Sequence, residues 1–217
     1  MKEEIVVAVA GNPNTGKTTF VNALAGTRLR VGNWPGVTVE KKEARMEVDG
    51  AKVRLVDLPG TYSLSPFSLE ELIARDFLVK ERPDVVLNIV DATNLERNLY
   101  LTLQLLETGR PVVLVLNMMD EAQKKGWKIA AERLEEALGI PVVPAVAVRG
   151  EGVQEALRVA LKVARKEVRV NGVPRYGEEV ERAIAELEGW LSREASHLLD
   201  RYPGRWVASS CWRRMKR

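Results

Sequence analysis

The feature that most constrains the fold is a glycine-bounded loop that directly follows an apolar run near the start of the chain. Residues 11–18 read Gly-Asn-Pro-Asn-Thr-Gly-Lys-Thr, which fits the G-x-x-x-x-G-K-[ST] phosphate-loop pattern. The loop needs glycines so that backbone N–H groups can close on phosphate oxygens at a helix N-terminus. An ordinary glycine turn that caps a helix is the alternative. The pattern predicts a strand–loop–helix unit in an α/β fold, with Lys17 on the β and γ oxygens and Thr18 on Mg²⁺.

The rest of the chain alternates short apolar runs with longer stretches of helical period, which is typical of a mainly parallel sheet. The predicted strands number six and lie near 4–10, 39–48, 51–57, 84–91, 111–117 and 141–147. The second and third flank Asp49-Gly50, a hairpin turn, so one strand should run antiparallel. The predicted helices lie near 17–25, 69–80, 94–108, 121–138 and 152–166. Ser68 and Glu71 form a capping box at the start of the second helix.

Two later motifs bear on which nucleotide the loop would hold. Asp57-Leu58-Pro59-Gly60 ends a predicted strand, where a carboxylate can hold Mg²⁺ through water and the Gly60 N–H can meet a γ-phosphate. Asn117-Met118-Met119-Asp120 ends another and matches the Asn-x-x-Asp reader of guanine. Its carboxylate accepts from N1–H and the exocyclic amine, a donor pair that adenine lacks. A helix cap is the alternative interpretation of this second motif, but in combination the motifs favour GTP.

Composition and charge exclude several classes of protein. The chain has 217 residues and 46% hydrophobic residues, enough for one α/β core and a small appendage. Its apolar runs fall short of the roughly 20 residues that span a bilayer, and its start does not resemble a signal peptide, so we expect a cytosolic chain. Residues 201–217 hold six basic residues and no acid, which leaves 27 basic against 30 acidic residues over 1–200. This balance argues against a nucleic-acid-binding core.

With these motifs in order, the chain resembles a Ras-like small GTPase domain. More closely, it resembles the cytosolic N-terminal G domain of the ferrous iron transport protein B (FeoB) family. The stretches that carry this resemblance are Gly11-Asn12-Pro13-Asn14, Arg30-Val31-Gly32-Asn33-Trp34-Pro35-Gly36-Val37-Thr38-Val39-Glu40, Asp57-Leu58-Pro59-Gly60-Thr61-Tyr62-Ser63 and Val90-Asp91-Ala92-Thr93-Asn94-Leu95-Glu96-Arg97-Asn98-Leu99-Tyr100-Leu101-Thr102-Leu103-Gln104. The resemblance is firm over residues 4–165 and loose over 174–207.

The resemblance implies a nucleotide site with two switch segments. Switch I would be residues 27–40, with Thr38 completing Mg²⁺ coordination, and switch II residues 57–68. A potassium ion held partly by Asn14 would stabilise charge between the β and γ oxygens; a bond from Asn14 to its own backbone is the alternative. The expected catalytic groups are Lys17, Thr38 and Gly60. The expected nucleotide-binding residues are Asn12, Asn14, Thr15, Gly16, Lys17, Thr18, Thr19, Gly36, Thr38, Asp57, Gly60, Asn117, Met118, Asp120, Val146 and Ala147.

Three departures from the usual pattern affect the expected chemistry. Thr61 stands where a Ras-like enzyme has a glutamine that orients water, so we expect slow intrinsic turnover. Met118 stands where lysine is usual and can pack on the base. Val146-Ala147-Val148 stands where Ser-Ala-x is usual, so the Ala147 N–H remains as the guanine O6 donor, and the lost serine hydroxyl is expected to loosen the loop and speed GDP release.

The resemblance also sets the expected domains, partners and function. We predict a G domain over 1–169 and a shortened helical subdomain over 170–217, packed by Trp190, Trp206 and Trp212; membrane-interface anchoring of these tryptophans is the alternative. In the family a polytopic membrane domain follows these helices. The chain is therefore expected to be a fragment or a separate subunit at the inner face of the membrane. Whether copies of the chain associate is left open. The expected function is a GTPase switch regulating ferrous iron uptake. The alternatives are a guanine-nucleotide regulator with incidental hydrolysis and a ribosome- or RNA-associated GTPase.

Overall fold

The computed structural model of the chain describes residues 4–65, 67–200 and 202–215. Residue 66 of the predicted switch II lies outside this range, as do residues 201, 216 and 217 of the predicted basic tail. The side chains at 214 and 215 are likewise outside the described part. Every residue predicted for the nucleotide site lies within it.

A mainly parallel sheet forms the centre of the molecule. Its strands are β1 (Ile5–Gly11), β2 (Arg30–Asn33), β3 (Glu40–Val48), β4 (Ala51–Asp57), β5 (Val85–Asp91), β6 (Val112–Asn117) and β7 (Val142–Pro144). They lie in the order β2-β3-β4-β1-β5-β6-β7. Strand β3 runs antiparallel to both of its neighbours, and the pairs from β4 to β7 are parallel. The carboxyl ends of β1, β4, β5 and β6 therefore meet at one edge, where open α/β sheets bind ligands.

Helices cover both faces of this sheet. They are α1 (Lys17–Ala25), α2 (Leu69–Asp76), α3 (Leu95–Glu107), α4 (Met119–Lys124), α5 (Ala131–Leu138) and α6 (Val153–Ala164). One apolar cluster joins the sheet to α1 and α6, and a second joins the opposite face to α2, α3 and α5. The apolar face of α6 is buried, from Val153 through Leu161. The sheet is thus buried on both sides, which explains the continuous apolar runs in its central strands.

The sequence prediction missed three features of this architecture. Over the described part of the chain the sheet has seven strands, because Arg30–Asn33 pairs with β3 at the sheet edge, although the residues of this strand are exposed and show no apolar alternation. The helix predicted over 121–138 is two helices, since Gly126 at φ 75° ends the first one. The strand predicted over 141–147 ends at Pro144, and a 3₁₀ turn follows at Ala147–Arg149. The predicted capping box at Ser68 and Glu71 is present.

Among the described residues, three helices follow α6: α7 (Glu178–Glu194), α8 (Ser196–Leu199) and α9 (Gly204–Met215). They share an apolar cluster of their own that includes Ile184, Leu191 and Ala208. Trp206 is buried and stacks on Tyr202 at 5.8 Å between ring centroids, as the packing interpretation expected, whereas Trp190 is half exposed. No described helix combines the length and the apolar character needed to cross a membrane.

Candidate nucleotide-binding site

The phosphate loop connects β1 to α1 and is held by its own hydrogen bonds. The Thr15 hydroxyl donates to the Asn12 carbonyl at 2.9 Å, and both residues are buried. Gly16 precedes α1 in the left-handed conformation at φ 77°, which only glycine adopts without strain. This backbone opens the N-terminus of α1 toward the end of the sheet, where its N–H groups can meet an anion. Thr18 and Thr19, in the first turn of the helix, are exposed there.

Lys17 and Asp57 form a buried ion pair at the base of this loop. Lys17 begins α1 and Asp57 ends β4, so the pair joins two predicted motifs that lie 40 residues apart. Burial raises the pKa of the Asp57 carboxyl above its ordinary value, and the Lys17 ammonium opposes that shift. The pair brings together the two charges that the phosphates and Mg²⁺ would require, one cation and one carboxylate.

The segment after Asp57 lies against the phosphate loop. The backbone N–H of Leu58 donates to Val9 at 2.9 Å, and that of Thr61 donates to Gly11 at 3.2 Å. A Cβ at Gly60 would lie 3.5 Å from Pro13. Gly60 is therefore next to the loop, as its expected role requires. Thr61 is buried in this arrangement, so its side chain does not extend into solvent as a water-orienting glutamine would.

Asn117 connects the phosphate loop to the loop after β7. Its side-chain amide donates to the Thr15 carbonyl at 2.9 Å, and its Oδ1 accepts from the Ala147 N–H at 2.9 Å. The residue is buried, so neither bond is replaced by water at low cost. Ala147 was expected to donate to guanine O6, but in this structure its N–H is used by Asn117. The predicted Asn117 and Ala147 thus act as a strut that fixes the distance between the two halves of the site.

The residues predicted to read the base lie at the start of α4. Met118 adopts the left-handed conformation at φ 62°, which turns the chain from β6 into the helix, and its methyl group lies 3.5 Å from the position of a Cβ at Gly16. Asp120 follows in the first helical turn. Its carboxylate accepts a hydrogen bond from Arg149 at 3.2 Å, a residue that the sequence analysis did not single out. Val146 is buried beside this loop.

Switch I is partly ordered by an aromatic anchor. Trp34 is only 8% exposed and packs edge-to-face on Phe77 at 5.6 Å, with the Lys41 ammonium 5.3 Å from its ring. A turn follows in which the Trp34 N–H donates to Val39 at 2.9 Å. Gly36, at φ 76°, and Thr38 are exposed in this turn. No hydrogen bond among the described residues ties Thr38 to the phosphate loop, so its expected contact with Mg²⁺ would require switch I to move.

The two asparagines of the phosphate loop differ in their surroundings. Asn12 is 2% exposed, and both polar atoms of its side chain are buried without a hydrogen-bond partner among the described residues. Asn14 is exposed at φ 67°, a left-handed conformation that asparagine tolerates better than most residues. Its side chain makes no bond to its own backbone in the described structure. Such amide oxygens are suitable ligands for a hard cation.

Helix α3 ties switch II to the C-terminal helices. The Leu64 N–H donates to Gln104 Oε1 at 2.6 Å in a buried contact. One turn further along α3, the buried carboxylate of Glu107 accepts from Arg213 of α9 at 2.7 Å and from the Tyr176 hydroxyl. Burial and the Glu107 carboxylate raise the pKa of Tyr176. The sequence indicated no role for Gln104, because a buried glutamine has no local signature.

Comparison with known proteins places these features in a family. Residues 5–160 match the family model described as ferrous iron transport protein B. The chain is 46% identical over 211 residues to a Porphyromonas gingivalis Fe(2+) transport protein A/Fe(2+) transporter FeoB fusion protein, covering 94% of this chain and 24% of that protein. It is 51% identical over 163 residues to the Fe(2+) transporter FeoB of Escherichia coli, covering 73% of this chain and 21% of that protein.

A solved structure resembles the fold over nearly its whole length. It is the cytosolic domain of the T. maritima FeoB iron transporter in a GDP form, with a TM-score of 0.86 and 43% identity. The match covers 94% of this chain and 80% of that one. This likeness confirms the predicted Ras-like α/β fold. The chain spans about a quarter of the length of the curated relatives that it matches.

Proposed function

The chain belongs to the ferrous iron transport protein B family, and we propose that it is the GTP-binding and GTP-hydrolysing switch domain that regulates ferrous iron uptake. The observation that carries this proposal is the Asn117 strut. It holds the backbone of the phosphate loop at one end and the loop after β7 at the other. Asp120, three residues further on, is thereby set at a fixed separation from Lys17. A carboxylate at that place favours guanine, because adenine offers it no pair of donors.

The site contains the donors that Mg²⁺ prefers. The Thr18 hydroxyl and the Asp57 carboxylate are hard oxygen ligands at adjoining ends of α1 and β4. A bound Mg²⁺ would neutralise charge on the β and γ oxygens. The ion pair of Lys17 with Asp57 would open as Lys17 turns to the phosphates.

Slow hydrolysis assisted by potassium is part of this proposal. Thr61 is buried and its N–H is bonded to Gly11, so another group must orient the attacking water. We assign that role to the switch I backbone near Thr38, and we assign potassium binding to the exposed Asn14. A cation there would act mainly on charge that develops in the transition state.

We also propose a domain division and a partner for the chain. We propose a G domain over 1–169 and a helical subdomain over 170–217, attached through Glu107 to Arg213 and Tyr176. Because the matched relatives are Fe(2+) transporters, the partner would be a membrane domain at the cytoplasmic face. The Gln104 bond to switch II supplies a route by which the nucleotide state would reach these helices. A regulator with incidental hydrolysis is the second candidate, and the buried Thr61 favours it.

GTP turnover under matched salts tests the proposal. Steady-state phosphate release should rise several-fold when sodium is replaced by potassium at fixed ionic strength. Asn14→Ala should erase that rise and leave GDP affinity nearly intact. Lys17→Ala should abolish turnover, whereas Lys162→Ala, on the exposed side of α6, should not change it. Turnover by Lys17→Ala at the parental rate would place the active site elsewhere. Equal rates in the two salts would favour the second candidate.

A further inference from the structure

The carboxylate that would read the base has a cationic neighbour. Asp120 Oδ2 accepts a hydrogen bond from Arg149 Nη2 at 3.2 Å. The Asp120 side chain is 15% exposed, and that of Arg149 is 55% exposed. The other nitrogen of the guanidinium, Nη1, lies 3.7 Å from Glu151 Oε1. Arg149 therefore sits at the mouth of the base site and bonds one oxygen of the carboxylate, which leaves the other oxygen available.

The backbone of the loop fixes where Arg149 stands. Val146 and Glu151 exchange two backbone hydrogen bonds, of 3.0 and 3.3 Å, which close the loop into a small bridge. The Arg149 N–H donates to the Val146 carbonyl at 2.9 Å. Gly152, at φ 74°, lies close to Pro144. A Cβ added at Gly152 would lie 2.2 Å from the Pro144 carbonyl oxygen, so only glycine fits here. The side chain of Arg149 thus projects from a rigid base rather than from a loose loop.

Val146 cannot donate a hydrogen bond to the Asp120 carboxylate, so another residue must do so. The usual residue at its place is serine, whose hydroxyl can donate to a neighbouring acceptor, whereas a buried valine donates nothing. An aspartate without a donor rotates about its terminal bond, and guanine would then have to order it on binding. Arg149, three residues further along the same loop, supplies a charge-assisted donor instead.

We propose that Arg149 is a positioning residue that orients the Asp120 carboxylate for guanine and slows release of the nucleotide. The inference rests on the proposed function, since it concerns how that site holds its base. A carboxylate offers about four lone-pair sites, and guanine uses two of them through N1–H and the exocyclic amine. Arg149 occupies a third, so arginine and guanine can bind together. Arg149 would therefore compensate for the absent serine hydroxyl, and we expect slower GDP release than the sequence alone predicts.

Dissociation of mant-GDP, followed by fluorescence after mixing with excess unlabelled GDP, tests this role. Arg149→Met should speed dissociation about two- to fivefold, the range expected when a half-exposed charge pair is lost. The association rate should stay the same. The rise should be smaller for mant-IDP, because inosine lacks the exocyclic amine and makes one fewer bond through Asp120. Higher salt should reduce the difference in dissociation rate between the parent and Arg149→Met, since salt screens an exposed ion pair.

Two further variants separate positioning from loop structure. Val146→Ser in the Arg149→Met background should restore slow release of GDP, because the hydroxyl returns a donor to the carboxylate. Arg158→Met is the matched control, because it removes an exposed arginine of α6 that pairs with Asp49 at 3.7 Å. It should leave the dissociation rates of mant-GDP and mant-IDP unchanged. Unchanged or slower GDP release from Arg149→Met, or equal acceleration of GDP and IDP, would overturn the proposal. A parent chain that binds no mant-GDP would instead refute the proposed function.

Discussion

Replacing Asn117 with alanine should destabilise the chain even when no nucleotide is present. The side chain satisfies two buried backbone groups, the Thr15 carbonyl and the Ala147 N–H, each at 2.9 Å. A buried polar group left unpaired costs roughly 1–3 kcal/mol, so the two together predict a loss of about 2–6 kcal/mol. The free energy of unfolding of a whole domain is only about 5–15 kcal/mol, so the variant should unfold at a much lower urea concentration than the parent.

Urea unfolding at 25 °C, monitored by circular dichroism without nucleotide, measures this loss as the shift in midpoint multiplied by the slope. Asn117→Asp is the informative second variant, because it keeps the acceptor for Ala147 but sets a carboxylate oxygen against the Thr15 carbonyl. It should be no more stable than Asn117→Ala. Asn171→Ala, at an exposed asparagine, is the control and should change stability by less than about 0.5 kcal/mol. Each unpaired buried group should cost roughly 1–3 kcal/mol. If the free energy of unfolding of Asn117→Ala lies within about 1 kcal/mol of the parent's, the role of Asn117 as a strut is refuted.

Three further outcomes are expected from the geometry. Gly16→Ala should weaken GDP binding at least about tenfold in a fluorescence titration, because its Cβ would lie 2.4 Å from Asn117 Nδ2 at a φ of 77°; unchanged affinity would contradict this. Arg205 lowers the pKa of Glu181 from 4.5 to about 2, so their pair stabilises the fold fully above pH 4.5 and is lost as pH falls toward 2. Glu181→Gln should flatten the acid unfolding curve in that window, and an unchanged curve would count against the pair. Trp34, 8% exposed, should shift its emission to the red when a non-hydrolysable GTP analogue draws switch I away, whereas identical spectra with GDP and analogue would mark it as a fixed plug.

The parts of the fold that the sequence predicted well depend on local chemistry. The phosphate loop, the hairpin at Asp49-Gly50 and the capping box at Ser68 each specify their geometry within a few residues. The central strands were predicted to within about two residues because burial on both faces makes them continuously apolar. Strand β2 was missed because it is an edge strand whose exposed residues are held by backbone bonds to β3, and such bonds leave no trace in residue type.

The parts of the site that were missed depend on contacts between distant residues. Trp34 lies against Phe77, 43 positions further along the chain, and Arg149 reaches Asp120 across 29 positions. Neither pairing has a spacing rule, because each depends on how the sheet brings separate loops to one edge. The motif residues were predictable because the ligand itself dictates their types. Residues that support or orient them, such as Arg149 and Gln104, are constrained only by the folded structure.

Recognition of guanine by Asp120 is tested by how strongly the chain discriminates between guanine and adenine. Calorimetric titration with GDP and then ADP, in the same Mg²⁺ buffer, measures what the Asp120 carboxylate contributes. We expect GDP to bind and ADP to bind at least about a hundredfold more weakly, since adenine offers the Asp120 carboxylate no pair of donors. Asp120→Asn should shift the preference toward xanthine nucleotides, because its carboxamide can donate to the 2-oxo group. Equal affinities for GDP and ADP in the unmutated chain would refute guanine recognition by Asp120.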